Sequence, residues 1–356
     1  MNILFLILSV LNVIPYWQDV NVTSINAERP RTDFMVYEQL NNAATQRYEN
    51  SRCYQSLNGT WKFLYVDAYK QLPEGVTQPT YNTASWANIT VPGNWEMQGF
   101  GTPIYTNQPY DFMPSRPQPP LLPEKNPVGV YSRTFSVPST WAGKDIYLAL
   151  DGAKSGVYVY LNGHEVGYNE DSKSKVEYLI NPYLKEGNNT LTLKIFRYST
   201  GSYLECQDFW RMSGIERDVY LWAQNKVALH DFKVKSTLDD AYRDGIFRLQ
   251  AEIKNHTGRK QKVNVGYELR KNDGTIALEG QKNMVITDSS AIVNFDATLP
   301  QVLTWTSEAP NLYRLFITVN WGKKQEIVPY NVGFRRIELK TVHNLSPNGR
   351  ADACLF

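Results

Sequence analysis

Cysteine is nearly missing from this chain: Cys53, Cys206 and Cys354 are the only three. They lie too far apart for a disulfide framework, and no Cys-x-x-Cys or Cys/His spacing offers a metal site. A surplus of one charge is also missing, since 37 basic residues face 35 acidic ones for a formal net charge of +2. The densest basic spot is Arg335-Arg336, which reads as a solvated strand end. That balance leaves no footprint for nucleic acid or an anionic membrane. Long apolar runs are lacking too. The longest, at residues 3–11, is too short to span a bilayer. It suits the core of a signal peptide over residues 1–15, with the mature chain opening near Pro15-Tyr16-Trp17 and the protein periplasmic or secreted. No Lys or Arg precedes the run, the first basic residue being Arg29, and no small-residue cleavage pattern follows. The alternative is a buried N-terminal strand in a cytoplasmic protein. Helical periodicity is almost absent, which excludes a bundle or a coiled coil.

What is present is the all-β pattern: short alternating apolar segments separated by Gly, Pro, Asn and Asp. Strands are predicted at 60–66, 146–150, 157–161, 191–196 and 219–222. Asn162-Gly163 between two of these segments is a strong hairpin signal, because both residues tolerate positive φ. Residues 108–128 interrupt the pattern with Pro109, Pro114, Pro117, Pro119, Pro120, Pro123 and Pro127. Proline cannot donate to a central ladder, so this is a long, stiff surface loop, and ordered loops of that length often bind ligands. A second β unit follows from about Lys226 to Leu339, with strands at 247–254, 261–270, 291–299 and 312–320 and a turn at Asn272-Asp273-Gly274. Seven or so strands in that length suit an immunoglobulin-like sandwich. It holds no constellation of chemically active residues and reads as a spacer.

Chemistry concentrates in one stretch, Gly201-Ser202-Tyr203-Leu204-Glu205-Cys206-Gln207-Asp208-Phe209-Trp210-Arg211-Met212-Ser213-Gly214-Ile215. Aromatic faces beside carboxylates and amides are what sugar recognition requires: flat apolar surfaces cover the C–H side of the ring and fixed polar groups pair its hydroxyls. On this segment alone, Asp208 reads more readily as a loop cap or an ion pair with Arg211. Phe209, Trp210 and Trp95 read as core.

The same stretch resembles a signature of the large bacterial β-galactosidases of glycoside hydrolase family 2. Other segments match that pattern in order. They are Leu57-Asn58-Gly59-Thr60-Trp61-Lys62-Phe63, Val91-Pro92-Gly93-Asn94-Trp95-Glu96-Met97, Pro103-Ile104-Tyr105-Thr106-Asn107, Asn126-Pro127-Val128-Gly129-Val130-Tyr131, the hairpin at 151–168, Ala309-Pro310-Asn311-Leu312-Tyr313 and Val332-Gly333-Phe334-Arg335. The resemblance covers residues 28–339. It implies an all-β chain: a jelly-roll sugar-binding sandwich at 28–223, then an immunoglobulin-like β-sandwich at 226–339. It also implies that the first domain leans over the active site of a later (β/α)8 barrel. Asn107 matches a pocket asparagine. Asp208 matches an aspartate that contacts galactosyl hydroxyls and ligates sodium; a magnesium ion is implied as well, with no ligand for it here. Glu205 matches no catalytic position and is expected to be a structural partner for Arg211 or Arg217.

Retaining glycosidases need two carboxyl groups, which the family carries on barrel strands, and such a barrel takes roughly 250 residues. Only 21 residues follow Arg335, and the tail at 340–356 leaves the family pattern. The expectation is the N-terminal part of a β-galactosidase that hydrolyses β-galactosides, inactive alone and acting with a complementing catalytic domain. Self-association through surface that normally docks on the barrel is expected too. A stand-alone carbohydrate-binding module and a structural β protein without a sugar site are the alternatives.

Overall fold

The computed structural model describes residues 14–107, 110–113, 116–342 and 352–355. The apolar N-terminal run, Pro109, Pro114 and most of the tail lie outside them. Two compact units divide the chain: residues 1–30 with 55–222, and residues 31–54 with 223–356.

In the first unit, strands that are largely buried, two of them along their whole length, build two main sheets. The larger has seven strands in the order Ser24–Ile25, His164–Asn169, Gly156–Leu161, Asn188–Phe196, Val128–Ser136, Gly59–Val66, Ala87–Val91. The smaller runs Val176–Leu179, Asp145–Leu150, Val219–Gln224, Tyr54–Ser56. All of the pairings are antiparallel, as expected for a jelly-roll type of sandwich. The hairpin at Asn162-Gly163 forms as predicted, with φ of 54° and 87° and Leu161 opposite His164. Its two positive φ values match the right-handed twist of the flanking strands.

Aromatic side chains fill this unit. Phe63 lies 4.6 Å from Tyr131 and 6.2 Å from Trp95 between ring centroids, and Trp17 stacks on Phe196 at 4.8 Å. Gly129 is the device that admits the first cluster. A Cβ there would come within 2.6 Å of the Trp95 ring and 2.7 Å of Phe63.

The second unit pairs a three-stranded sheet (Val227–Leu238, Gly245–Asn255, Ser290–Leu299) with a four-stranded one (Ile276–Ile286, Gln261–Arg270, Tyr313–Trp321, Lys324–Val332). Seven antiparallel strands around Phe247, Tyr267 and Phe295 fit the immunoglobulin-like expectation. Beyond Arg335, Leu339–Val342 pairs with Asp352–Leu355.

The domain expectation of 28–223 needs one correction. The segment 31–54 belongs with the second unit. Tyr37 and Ile327 exchange backbone hydrogen bonds at 2.9 and 2.8 Å, Thr32 N–H donates to Asp231 at 3.0 Å, and Gln46 pairs its amide with Asn331. Among the described residues no helix is long and apolar enough to cross a membrane.

Candidate sugar-binding site

The stretch at 201–215 opens with a single helical turn, Ser202–Glu205, and continues into the short strand Phe209–Arg211. That strand pairs antiparallel with Ile104–Thr106, the segment leading into the proline-rich loop. Thr106 lies opposite Phe209, Tyr105 opposite Trp210 and Ile104 opposite Arg211. The ladder ends there: Asp208 sits in a tight turn in which the Phe209 N–H donates to the Gln207 carbonyl at 2.9 Å, and Asn107 follows Thr106 out of the ribbon.

Side chains alternate across a strand with period two. Tyr105 and Trp210 therefore share one face of the ribbon, and Asn107 and Asp208, just beyond its end, are exposed as they are. On the other face Arg211 is buried, while Ile104, Thr106 and Phe209 are partly buried. Sequence reasoning singled out Asn107 and Asp208, and each stands exposed one residue beyond the paired strands, at the same end of the ribbon. Tyr105 adds a hydroxyl that donates to Asp208 Oδ1 at 3.4 Å. Its ring meets Trp210 at 5.6 Å between centroids, tilted by 55°. Trp95 is core, fully buried as expected, but Trp210 is not: it is 50% exposed. The physical reason is the pairing itself, which turns Trp210 outward so that Arg211 can turn in.

What turns Arg211 inward is a buried ionic frame that the sequence did not reveal. The Arg211 guanidinium lies 3.7 Å from the Asp111 carboxylate, and Tyr198 donates its hydroxyl to the same carboxylate at 2.5 Å. Burial pushes the Tyr198 phenol well above its ordinary value, keeping it a donor. Arg197 pairs with Glu96 at 3.1 Å and donates to the carbonyls of Thr102 and Arg211. The second Glu96 oxygen accepts the Ser213 N–H at 2.8 Å. Burial pushes the Glu96 carboxyl up, while the Ser213 amide and Arg197 pull it down. These contacts join residues 96, 102 and 111 to residues 197–213. The described part of the proline-rich loop is clamped further by Phe112 against Tyr198 at 4.7 Å and Tyr110 against Tyr203 at 4.8 Å.

Glu205 is a structural residue, as expected, but through Ser172. Its carboxylate accepts the Ser172 N–H at 2.7 Å and the Ser172 hydroxyl. Beneath Phe209 sits Lys154, 5% exposed, with its ammonium 4.7 Å from the ring centroid and no hydrogen-bond partner among the described residues. Burial is the first cause that drives its pKa down, and the nearby Lys173 adds to it. As for metals, the described residues contain no group of three or more His, Cys, Asp or Glu that could hold an ion. Asp208 offers a hard carboxylate, the kind of ligand that sodium takes.

Two family models match the chain in succession. "Glycosyl hydrolases family 2, sugar binding domain" matches residues 54–225, and "Glycosyl hydrolases family 2" matches residues 227–335. The chain belongs to glycosyl hydrolases family 2. The site described above lies wholly within its sugar-binding domain, and that domain begins where the segment 31–54 ends. Among the relatives of this family 2 chain, a β-galactosidase of Priestia megaterium is 35% identical over 338 residues, covering 92% of this chain and 32% of that protein. A β-galactosidase of Halalkalibacterium halodurans is 34% identical over 330 residues, with the same two shares of 92% and 32%. The chain thus spans about a third of the length of these curated relatives. A crystal structure of Bacteroides uniformis β-glucuronidase superposes with a TM-score of 0.66 at 22% identity, covering 80% of this chain and 32% of that one. At that identity the likeness speaks for the family 2 fold alone.

Proposed function

We propose that this chain supplies a wall of the substrate pocket of a β-galactosidase, an enzyme that hydrolyses terminal β-D-galactosides with retention. Asp208 accepts hydrogen bonds from sugar hydroxyls, and Asn107 both donates and accepts at a neighbouring one. The observation that supports this reading is the pairing of Ile104–Thr106 with Phe209–Arg211, at one end of which Asn107 and Asp208 both stand exposed. The choice of galactoside over other sugars rests on the relatives, which are named β-galactosidases.

A retaining glycosidase holds its acid/base and its nucleophile about 5–5.5 Å apart. In this reading both carboxyl groups lie outside the two β units, and the chain has no turnover by itself. Glu205 is not free to serve as the acid, because Ser172 occupies both of its oxygens. Glu96 is walled in by Arg197 and Ser213. Asp208 would give a sodium ion one carboxylate ligand, the others coming from groups that also contact the substrate. Such an ion would place positive charge beside a hydroxyl and fix its lone pairs. Asn107 and Tyr105 meanwhile orient the same hydroxyl and the same carboxylate without it.

The test is hydrolysis of a chromogenic β-galactoside by the purified chain. No turnover at any concentration is the expected result. Turnover abolished by Asp208→Asn or Glu205→Gln would overturn the reading, because it would put a catalytic pair inside the sandwich.

A further inference from the structure

We propose that the Tyr105–Trp210 ring pair is a stacking platform for a hexopyranose, continuous with the hydroxyl-binding pair Asn107–Asp208. It rests on the pocket reading above and extends it from two polar contacts to a four-residue surface.

The first support is exposure. The chain has nine tryptophans, all among the described residues, and Trp210 alone is exposed; the other eight are buried or partly buried. Tyr105 beside it is 59% exposed. Two large apolar rings facing water cost free energy unless a ligand covers them. The second support is geometry. The two rings stand opposite each other across the ribbon, 5.6 Å apart between centroids, and the Tyr105 hydroxyl reaches the Asp208 carboxylate, so aromatic and polar groups lie within the span of one pyranose. The third is composition. One half of the patch is aromatic and the other half is an amide and a carboxylate, as a pyranose requires with its apolar C–H face and its rim of hydroxyls. The Tyr105 hydroxyl links the halves through its bond to Asp208. The patch is also held in place. Arg211 and Asp111 anchor the hidden face of the ribbon, so the rings are arranged before any ligand arrives.

The test is saturation-transfer NMR of the full 356-residue chain titrated with lactose. Saturation is expected to be strongest at the ring C–H protons of one sugar unit. Trp210→Ala is expected to weaken binding by about three- to tenfold, the worth of one aromatic contact, and Trp210→Phe to restore most of it. Trp210 is half-exposed, so its removal leaves the core intact. If Trp210→Ala and Tyr105→Ala bind lactose like the unaltered chain while Asp208→Ala does not, the platform is refuted and the pocket reading stands. If the unaltered chain shows no saturation transfer at about 10–100 mM lactose, weaker than any specific contact would give, both fail. If Trp210→Ala abolishes self-association by light scattering at unchanged lactose affinity, the rings serve a protein contact and the platform is again refuted.

Discussion

Lys154 allows a stability prediction whose sign depends on pH. Its ammonium is buried and lacks a hydrogen-bond partner among the described residues; the Phe209 ring, 4.7 Å away, favours the charge, as do Cys206, Glu216 and Glu205, but burial acts against it most, and Lys173 adds to burial. Leaving a buried donor unsatisfied costs about 1–3 kcal/mol, more when it is charged. The cation–π contact returns about 0.5–2 kcal/mol of that. Lys154→Met removes the charge, keeps the straight chain and substitutes a sulfur–aromatic contact worth about 0.3–1.5 kcal/mol. The net expectation is about 1 kcal/mol of added stability at neutral pH, or roughly 2–4 °C in the melting temperature of a unit of this size. The pH dependence follows from linkage. The folded-state pKa of Lys154 is depressed below the unfolded lysine value of about 10.4. Within that window the unfolded chain holds more protons than the folded one, so stability rises with pH. Below the folded pKa the penalty is fully present; above about 10.4 it is gone. The advantage of Lys154→Met must therefore shrink as pH rises through the window and vanish at its upper end. Urea unfolding of both proteins across that range, taken as a difference, cancels the titration of every other group. A variant that is less stable at neutral pH, or an advantage that does not change with pH, would refute the reasoning and point to a partner for the ammonium.

Two further outcomes test the frame that holds the site. Arg197→Ala strands the buried Glu96 carboxylate and should cost about 3–5 kcal/mol, read from the urea midpoint at unchanged slope. Gly129→Ala drives a methyl group into the Trp95 and Phe63 rings and should cost about 1–3 kcal/mol; equal stability would mean that this core yields more readily than its packing suggests.

Strands were legible where one face is buried. Residues 261–270 form Gln261–Arg270, and 157–161 lengthens by one residue to Gly156–Leu161. Ile276–Ile286 escaped notice because it is mostly exposed and shows no clean alternation, although it pairs along its whole length with its neighbour. At the site, residue types pointed to Asn107 and Asp208, but the pairing that brings their two segments together runs across about a hundred residues. Trp210 was read as core because three residues of strand are too few to show which face is buried. Asp111, Arg197 and Glu96 carry no local signal. Each is an ordinary charged residue until folding removes it from water beside its partner.

The path of the chain through the two units sets an order of events on the ribosome. Residues 31–54 emerge early, yet the strand they join is made near the end: Gln46 and Asn331, which pair their amides, lie 285 positions apart. At about 5–20 residues per second, the early segment waits roughly 15–60 s for its partner. For the first part of that interval the residues being made, 55–222, are those of the first unit. The second unit is consequently a late-closing element, and a fragment that begins at residue 223 would lack the piece of itself that was synthesised first.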